Sequence, residues 1–330
     1  MIRIAFDVMG FENNIEHAII AARKFISFHH DVKIILVGDK DQIIKSIGDS
    51  YHLFEIINTK NFISMNDTPI VALRKTSSSM TIAIKLVKEK KADAIVSAGS
   101  TSCFIPLVYS TLGLIPKVST IGLMPYIPTT DKVGFNMIDV GANINITADN
   151  LYHFALMANT YVKECRNIDK PIIGLLNIGT EHHKGFAYHH QAHELLKKNK
   201  DLNYIGFVEP KKLLQHHVDI VLCDGYAGNL VLKSMEGSLS TIAKLMKSHY
   251  KKPWNWLAAF LSIPLFKTIT KTFDYRNNAA AIVLGINGIA IKTHGSADYL
   301  QFLSALNMAY NTANKKIIDK LKQIDYGTKL

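Results

Sequence analysis

The segment VDIVLCDGYAGN, residues 218–229, sets an apolar run against a turn of Asp and Gly, and a long amphipathic stretch follows over 228–250. The same grammar recurs along the chain. Apolar runs of strand length stand at IRIAFDV (2–8), VKIILVG (32–38), DAIVSAG (93–99), STIGLM (119–124), FNMIDVG (135–141), PIIGLLNIG (171–179) and LNYIGFV (202–208). Between them lie helical stretches, expected at 14–28, 76–90, 147–166, 186–199, 228–250 and 296–322. Strands alternating with helices specify βαβ units and a mainly parallel sheet. Runs this rich in Ile, Val and Leu belong to strands covered on both faces. No Pro/Gly-rich linker and no internal repeat divides the chain. The fold class expected is therefore α/β, a three-layer α/β/α sandwich forming a single domain over residues 1–330, with a protruding apolar helical tip at about 250–272.

A chain of 330 residues can bury a large core, and 48% hydrophobic with 20% charged residues is ordinary globular composition. The N-terminal MIRIAFD reads as a strand rather than a signal peptide. Cys103, Cys165 and Cys223 are widely spaced and form no CxxC pair, so reduced thiols and a cytoplasmic location are expected. The net charge of +11 favours polyanions, acidic proteins or anionic lipid heads. No dense Arg/Lys tract with interleaved aromatics marks a nucleic-acid groove.

In open parallel sheets, ligands bind beyond the carboxyl ends of strands. The turns there are DVMG (7–10), SAGSTS (97–102), DVGAN (139–143), NIGTEHHKG (177–185) and CDGYAGN (223–229). Glycine lets backbone approach a ligand, and helix-start amides attract anions. Together these loops point to a phosphate-sized anionic site built from Asp7, Gly10, Ser97, Gly99, Ser100, Thr101, Asn143, Asn177, Gly179, Gly185, Asp224, Gly225 and Gly228. GxGxxG after the first strand, GxxxxGK[ST] and GxSxG are all absent, which argues against dinucleotide, P-loop and serine-hydrolase chemistry. His189 and His193 stand four apart without an accompanying HExxH glutamate, so no metal site is expected.

Both tryptophans lie in PWNWLAAFLSIPLF (253–266), between Lys251–Lys252 and Lys267. The run is shorter than the roughly 20 residues a membrane span needs. Trp254, Leu257, Ala258, Leu261 and Leu265 recur at helical spacing as one apolar stripe, and Pro264 is expected to end or bend the helix. Tryptophan between lysines suits the lipid headgroup layer, so membrane contact is expected through Trp254, Trp256, Leu257, Leu261, Leu265 and Phe266.

Taken in order, IAFDVMG, DTPIVALRKTSSSMTIAIKLVKEKKADAIVSAGSTS, IDVGAN, GLLNIGTEHHKG, VDIVLCDGYAGNLVLKSMEG and LGINGIAIKTHGS resemble the bacterial phosphate acyltransferase family nearly end to end. The resemblance implies a phosphotransacetylase- and isocitrate-dehydrogenase-like fold and a homodimer. It also implies transfer of a fatty acyl group from acyl carrier protein to inorganic phosphate. A membrane glycerol-3-phosphate acyltransferase would consume the acyl phosphate, and the apolar tip would hold the enzyme peripherally on the inner face of the cell membrane. No organic cofactor is implied, because phosphate is itself the nucleophile. On this reading Lys184 steers phosphate or steadies the oxyanion, Asn229 donates a side-chain hydrogen bond, and His294 protonates the departing thiolate.

The sequence also departs from the family's pattern. Phe11 and Glu12 follow Gly10, Ser100 and Ser102 occupy a loop the family fills otherwise, and Asn278, Ala279, Ala280, Ala281 and Ile282 replace a late glycine-rich stretch. Two alternatives remain open: a short-chain phosphotransacetylase using coenzyme A, and an acyl-carrier-protein-binding protein with impaired catalysis.

Overall fold

The computed structural model describes residues 1–215, 217–250, 256–273 and 280–327, with the side chains of 256–259, 266, 267, 270 and 271 outside that description. Among the described residues, eleven strands form one sheet: β1 (Ile2–Asp7), β2 (Val32–Gly38), β3 (Glu55–Asn58), β4 (Ala94–Ser97), β5 (Gly122–Ile127), β6 (Phe135–Ile138), β7 (Ile172–Leu176), β8 (Asn203–Val208), β9 (Ile220–Leu222), β10 (Ala281–Leu284) and β11 (Ile289–Lys292). Their spatial order is β3-β2-β1-β4-β11-β10-β5-β6-β9-β7-β8. Strands β3, β2, β1, β4 and β11 are mutually parallel, as are β6, β9, β7 and β8. Three antiparallel pairs in the middle, β11 with β10, β10 with β5 and β5 with β6, make the two halves run in opposite senses.

The helices are α1 (Ile15–Phe28), α2 (Lys40–Ile47), α3 (Pro69–Arg74), α4 (Ser79–Lys88), α5 (Thr101–Leu112), α6 (Ala148–Arg166), α7 (Ala187–Lys198), α8 (Gly225–Tyr250), α9 (Trp256–Thr272), α10 (Tyr299–Asn314) and α11 (Ile317–Lys322). Side-chain oxygens close several helix starts: Ser78 accepts from the Thr81 amide, and Thr147 and Asn150 reciprocate as a capping box. One apolar layer packs α1, α6, α7 and α10 on the sheet through Phe25, Phe154, Leu196 and Phe302. The other packs α4 and α5 through Ile84, Phe104 and Val108. Alternation along β1 serves both layers: Ile4 and Phe6 point into the first and Ala5 into the second. The three-layer, mainly parallel α/β/α architecture read from the sequence is the one observed.

Several elements differ from the sequence reading. Strands β10 and β11 are four residues each, too short for their apolar runs to be told from part of a helix. Helix α5 carries Pro106 internally and is rich in Thr and Ser, so its pattern does not announce a helix. The stretch 296–322 is two helices, broken where Lys316 takes a left-handed φ of 51°. Pro264 does not end its helix, which continues to Thr272; the Thr268 hydroxyl donates to the Pro264 carbonyl at 3.0 Å.

The head of α8 is seated with almost no clearance. A methyl group on Gly228 would stand 2.0 Å from the Asp139 carbonyl oxygen and 2.7 Å from Cys223 Sγ. Gly228→Ala is expected to cost about 2–3 kcal/mol in urea unfolding, by forcing the helix off this seat.

Candidate active site

At the carboxyl ends of β1, β4 and β11, Asp7, Ser97 and Lys292 stand side by side in register. The Ser97 hydroxyl donates to Asp7 Oδ2 at 2.7 Å and accepts from the Gly99 amide at 3.1 Å. Lys292 Nζ donates to the Thr293 carbonyl, and the Thr293 amide donates to the Ser97 carbonyl at 3.0 Å. All three side chains are buried. Burial pushes the Asp7 carboxyl up to about 6, against the nearby Ser79 and Ser97 hydroxyls and the Lys292 charge. Burial brings Lys292 down to about 7, opposed by Asp7 and Glu12. Gly10, with φ of +73°, turns the chain so tightly that a side chain there would meet the Ile63 carbonyl oxygen.

In the opposite half, Asp139 gathers the loop after β6. Its carboxylate accepts from the amides of Leu123, Gly141, Ala142 and Asn143 at 2.8–3.1 Å and from Asn143 Nδ2 at 2.9 Å. Asn143 is itself spent on structure, because Nδ2 also donates to the Ile121 carbonyl and Oδ1 accepts from Thr120. After β9, Asp224 accepts from the Ala227 amide at 2.8 Å and from the Tyr188 hydroxyl at 3.1 Å, capping α8. After β7, Asn177 donates to the Lys184 carbonyl at 2.9 Å and packs on Gly185, whose φ is +101°. Lys184 is half-buried, with Nζ 2.7 Å from Glu181 Oε1; Gly179 lies against its side chain.

Helix α8 connects the two halves. Asn229 is exposed, and a methyl group built on Gly141 would stand 3.7 Å from its amide nitrogen. One and two turns further on, Lys233 and Glu236 come round to the same helix face. Both lie within electrostatic reach of His294, and Lys233 within reach of Lys292. Twist of about 20° per strand supplies the closure: the five steps from β4 to β9 accumulate on the order of 100°, swinging opposed strand ends towards one helix. His294 is held below its ordinary value by desolvation and by Lys292, while its Nδ1 contacts the Ser296 hydroxyl at 2.8 Å.

The structure thus brings Asp7, Gly10, Ser97, Gly99, Ser100 and His294 together on one side and Asn143, Asn177, Gly179, Lys184, Gly185, Asp224, Gly225 and Gly228 on the other, with Asn229 on the helix between. Thr101 opens α5. Lys292, Asp139, Lys233 and Glu236 escaped the sequence reading, although a lysine ending the apolar run IAIK is a visible signal for the first. Among the described residues no three His, Cys, Asp or Glu side chains gather as a metal site. His189 Nδ1 accepts from the Phe186 amide and His193 Nδ1 meets the Tyr204 hydroxyl at 2.8 Å, so both are structural. The three thiols are unpaired, with Cys103 and Cys223 buried.

On the tip, Leu261 and Leu265 are 70% and 59% exposed, next to exposed Phe260 and Ile263. Trp254 lies outside the described residues, as do the side chains of Trp256, Leu257 and Phe266. No described helix is long and apolar enough to cross a membrane.

A sequence model of the family described as fatty acid synthesis protein matches residues 2–320. The phosphate acyltransferase of Malacoplasma penetrans is 49% identical over 318 residues, covering 96% of each chain. That of Ureaplasma parvum serovar 3 is 46% identical over 323 residues, 98% of this chain and 97% of its own. Among solved structures, a phosphotransacetylase from Streptococcus pyogenes superposes with a TM-score of 0.60 at 15% identity, over 96% of this chain and 94% of its own. That likeness concerns the fold alone.

The Asp7 carboxyl, raised above its ordinary 3.8, keeps a proton in the folded protein that the unfolded chain has already released. Stability is therefore expected to fall as pH climbs from about 4 to 6. Asp7→Asn should flatten melting temperature across that window, as read by thermal melts at half-unit pH steps.

Proposed function

This chain belongs to the phosphate acyltransferase family, the fatty acid synthesis proteins, and we propose that it moves a fatty acyl group from acyl carrier protein to inorganic phosphate. The acyl phosphate would then serve glycerol 3-phosphate acylation by a membrane acyltransferase. The observation that carries this reading is the convergence of strand-end loops from both halves of the sheet along one face of α8, with Asn229 exposed opposite Gly141. Such a cleft can hold an anion against a carbonyl group.

The chemistry asks for little else. A phosphate oxygen attacks the thioester carbonyl carbon, the carbonyl oxygen takes up negative charge, and the carbon–sulfur bond breaks. Asn229 donates a hydrogen bond to that developing charge from the head of α8, where helix amides add positive potential. Lys184 exchanges its bond to Glu181 for phosphate and brings the dianion to the carbonyl. No organic cofactor and no metal enters this scheme. The acidic carrier protein is drawn by the +11 charge, and a homodimer is the proposed assembly.

Exposed Leu261 and Leu265 support the tip as the membrane contact, lying in the headgroup layer while the body stays in the cytoplasm. A short-lived, greasy product would then be released where it is used.

Phosphate-dependent release of carrier-protein thiol from a long-chain acyl carrier protein tests the reaction, with the coenzyme A thioester as comparison. Lys184→Ala is expected to lower it about 10²- to 10³-fold; an unchanged rate removes that role from Lys184. Leu261→Glu with Leu265→Glu should cut co-sedimentation with anionic phosphatidylglycerol vesicles at least about tenfold, since each change puts a charge into buried apolar contact. Thiol release in solution should be unaffected. Equal sedimentation of variant and wild type would remove the tip from the membrane.

A further inference from the structure

Proton traffic in this reaction is not trivial. Monohydrogen phosphate enters carrying a proton, and the carrier sulfur must leave with one. Two protonation states have to be available near neutral pH at one place. The strand ends of β1, β4 and β11 supply such a place.

We propose that Lys292 is the proton carrier of the acyl transfer, its neutral amine taking the proton from the attacking monohydrogen phosphate and its ammonium returning it to the departing sulfur. The balance is complete: a carbon–oxygen bond forms, the carbon–sulfur bond breaks, and the phosphate proton ends on the thiol. This inference rests on the transacylase reading above.

Placement carries the argument. Lys292 ends β11, in register with Ser97 on the neighbouring β4, and parallel neighbours stand about 4.8 Å apart. Three residues beyond Ser97, Ser100 turns its hydroxyl to Ser102 at 2.9 Å and caps no amide of α5. No side-chain cap therefore covers the first amides of that twelve-residue helix, whose head follows β4, the strand paired with the one that Lys292 ends. Lys292 is only 5% exposed, a burial that lysine rarely adopts. Its one hydrogen bond among the described residues, to the Thr293 carbonyl, leaves N–H groups to spare.

The charged groups within electrostatic reach of Lys292 are Asp7 on β1, Glu12 in the loop after it and Lys233 on α8, with His294 two residues on. Burial dominates, and the amine is held at about 7. From there a proton passes readily to a thiolate of ordinary affinity, about 8.5. His294 is less suited to donate: burial and Lys292 keep its ring below the usual value, so it is neutral at neutral pH.

Arginine and small amines separate a proton carrier from a fixed charge, since guanidinium keeps its proton. In the full-length protein, with saturating phosphate and long-chain acyl carrier protein, Lys292→Arg is expected to lower kcat at least about 10²-fold while KM for phosphate changes less than about threefold. Lys292→Ala should be equally slow and regain rate in proportion to added methylamine or ethylamine, while Lys184→Ala should not. A Lys292→Arg enzyme with near-wild-type kcat, or a Lys292→Ala enzyme that is folded and indifferent to amines, overturns the proposal. Wild-type protein that releases no thiol with phosphate would sink the transacylase reading, and this one with it.

Discussion

The carboxylate of Asp139, buried at the carboxyl end of β6, collects the amides of Leu123, Gly141, Ala142 and Asn143, and its backbone carbonyl forms the floor on which Gly228 rests. Burial raises this carboxyl above its usual range, and the ring of donors works against that shift. Once Asp139 is fixed, the loop to Asn143 is fixed, and the head of α8 can approach only through glycine. A helix anchored so closely projects Asn229 over Gly141 and carries Lys233 and Glu236 on towards the other half of the sheet. The placing of Asn229 therefore depends on the backbone contact of Gly228 with Asp139.

The two halves of the cleft use charge differently. Around Lys184 the loop is open and polar, and the lysine is paired with Glu181 at the surface, a contact that costs little to exchange. Around Lys292 the ion is enclosed, and Asp7 and Lys292, on either side of β4, both lose hydration. Desolvation moves one group up to about 6 and the other down to about 7, so their proton affinities come close together. A surface cation suits the capture of an anion; buried groups of similar proton affinity suit its chemistry.

Helices α8 and α9 follow another logic. Past its glycine seat α8 buries little, leaving Ile242 and Leu245 exposed, and α9 exposes Phe260, Leu261, Ile263 and Leu265. Core helices in this protein keep such residues inside, as Phe154 and Phe302 show. Apolar surface of this extent on adjoining helices gains stability only by leaving water, at about 25 cal/mol per Å² covered.

Periodicity and turn composition alone determined the layered α/β class, most strands and the main helices, because burial on both faces of a parallel sheet leaves continuous apolar runs at βα spacing. The same logic marked the strand-end loops, since close backbone approach demands glycine wherever it occurs. Short strands were beyond its reach: β10 and β11 owe their existence to pairing with β5 and β4, not to local preference. With β11 went Lys292, whose place beside Asp7 and Ser97 depends on which strands become neighbours across nearly 300 residues of chain. Local sequence records which residues turn, cap and alternate. Only the folded sheet, through its strand order and accumulated twist, decided which charges share a buried site and how far desolvation moves their protons.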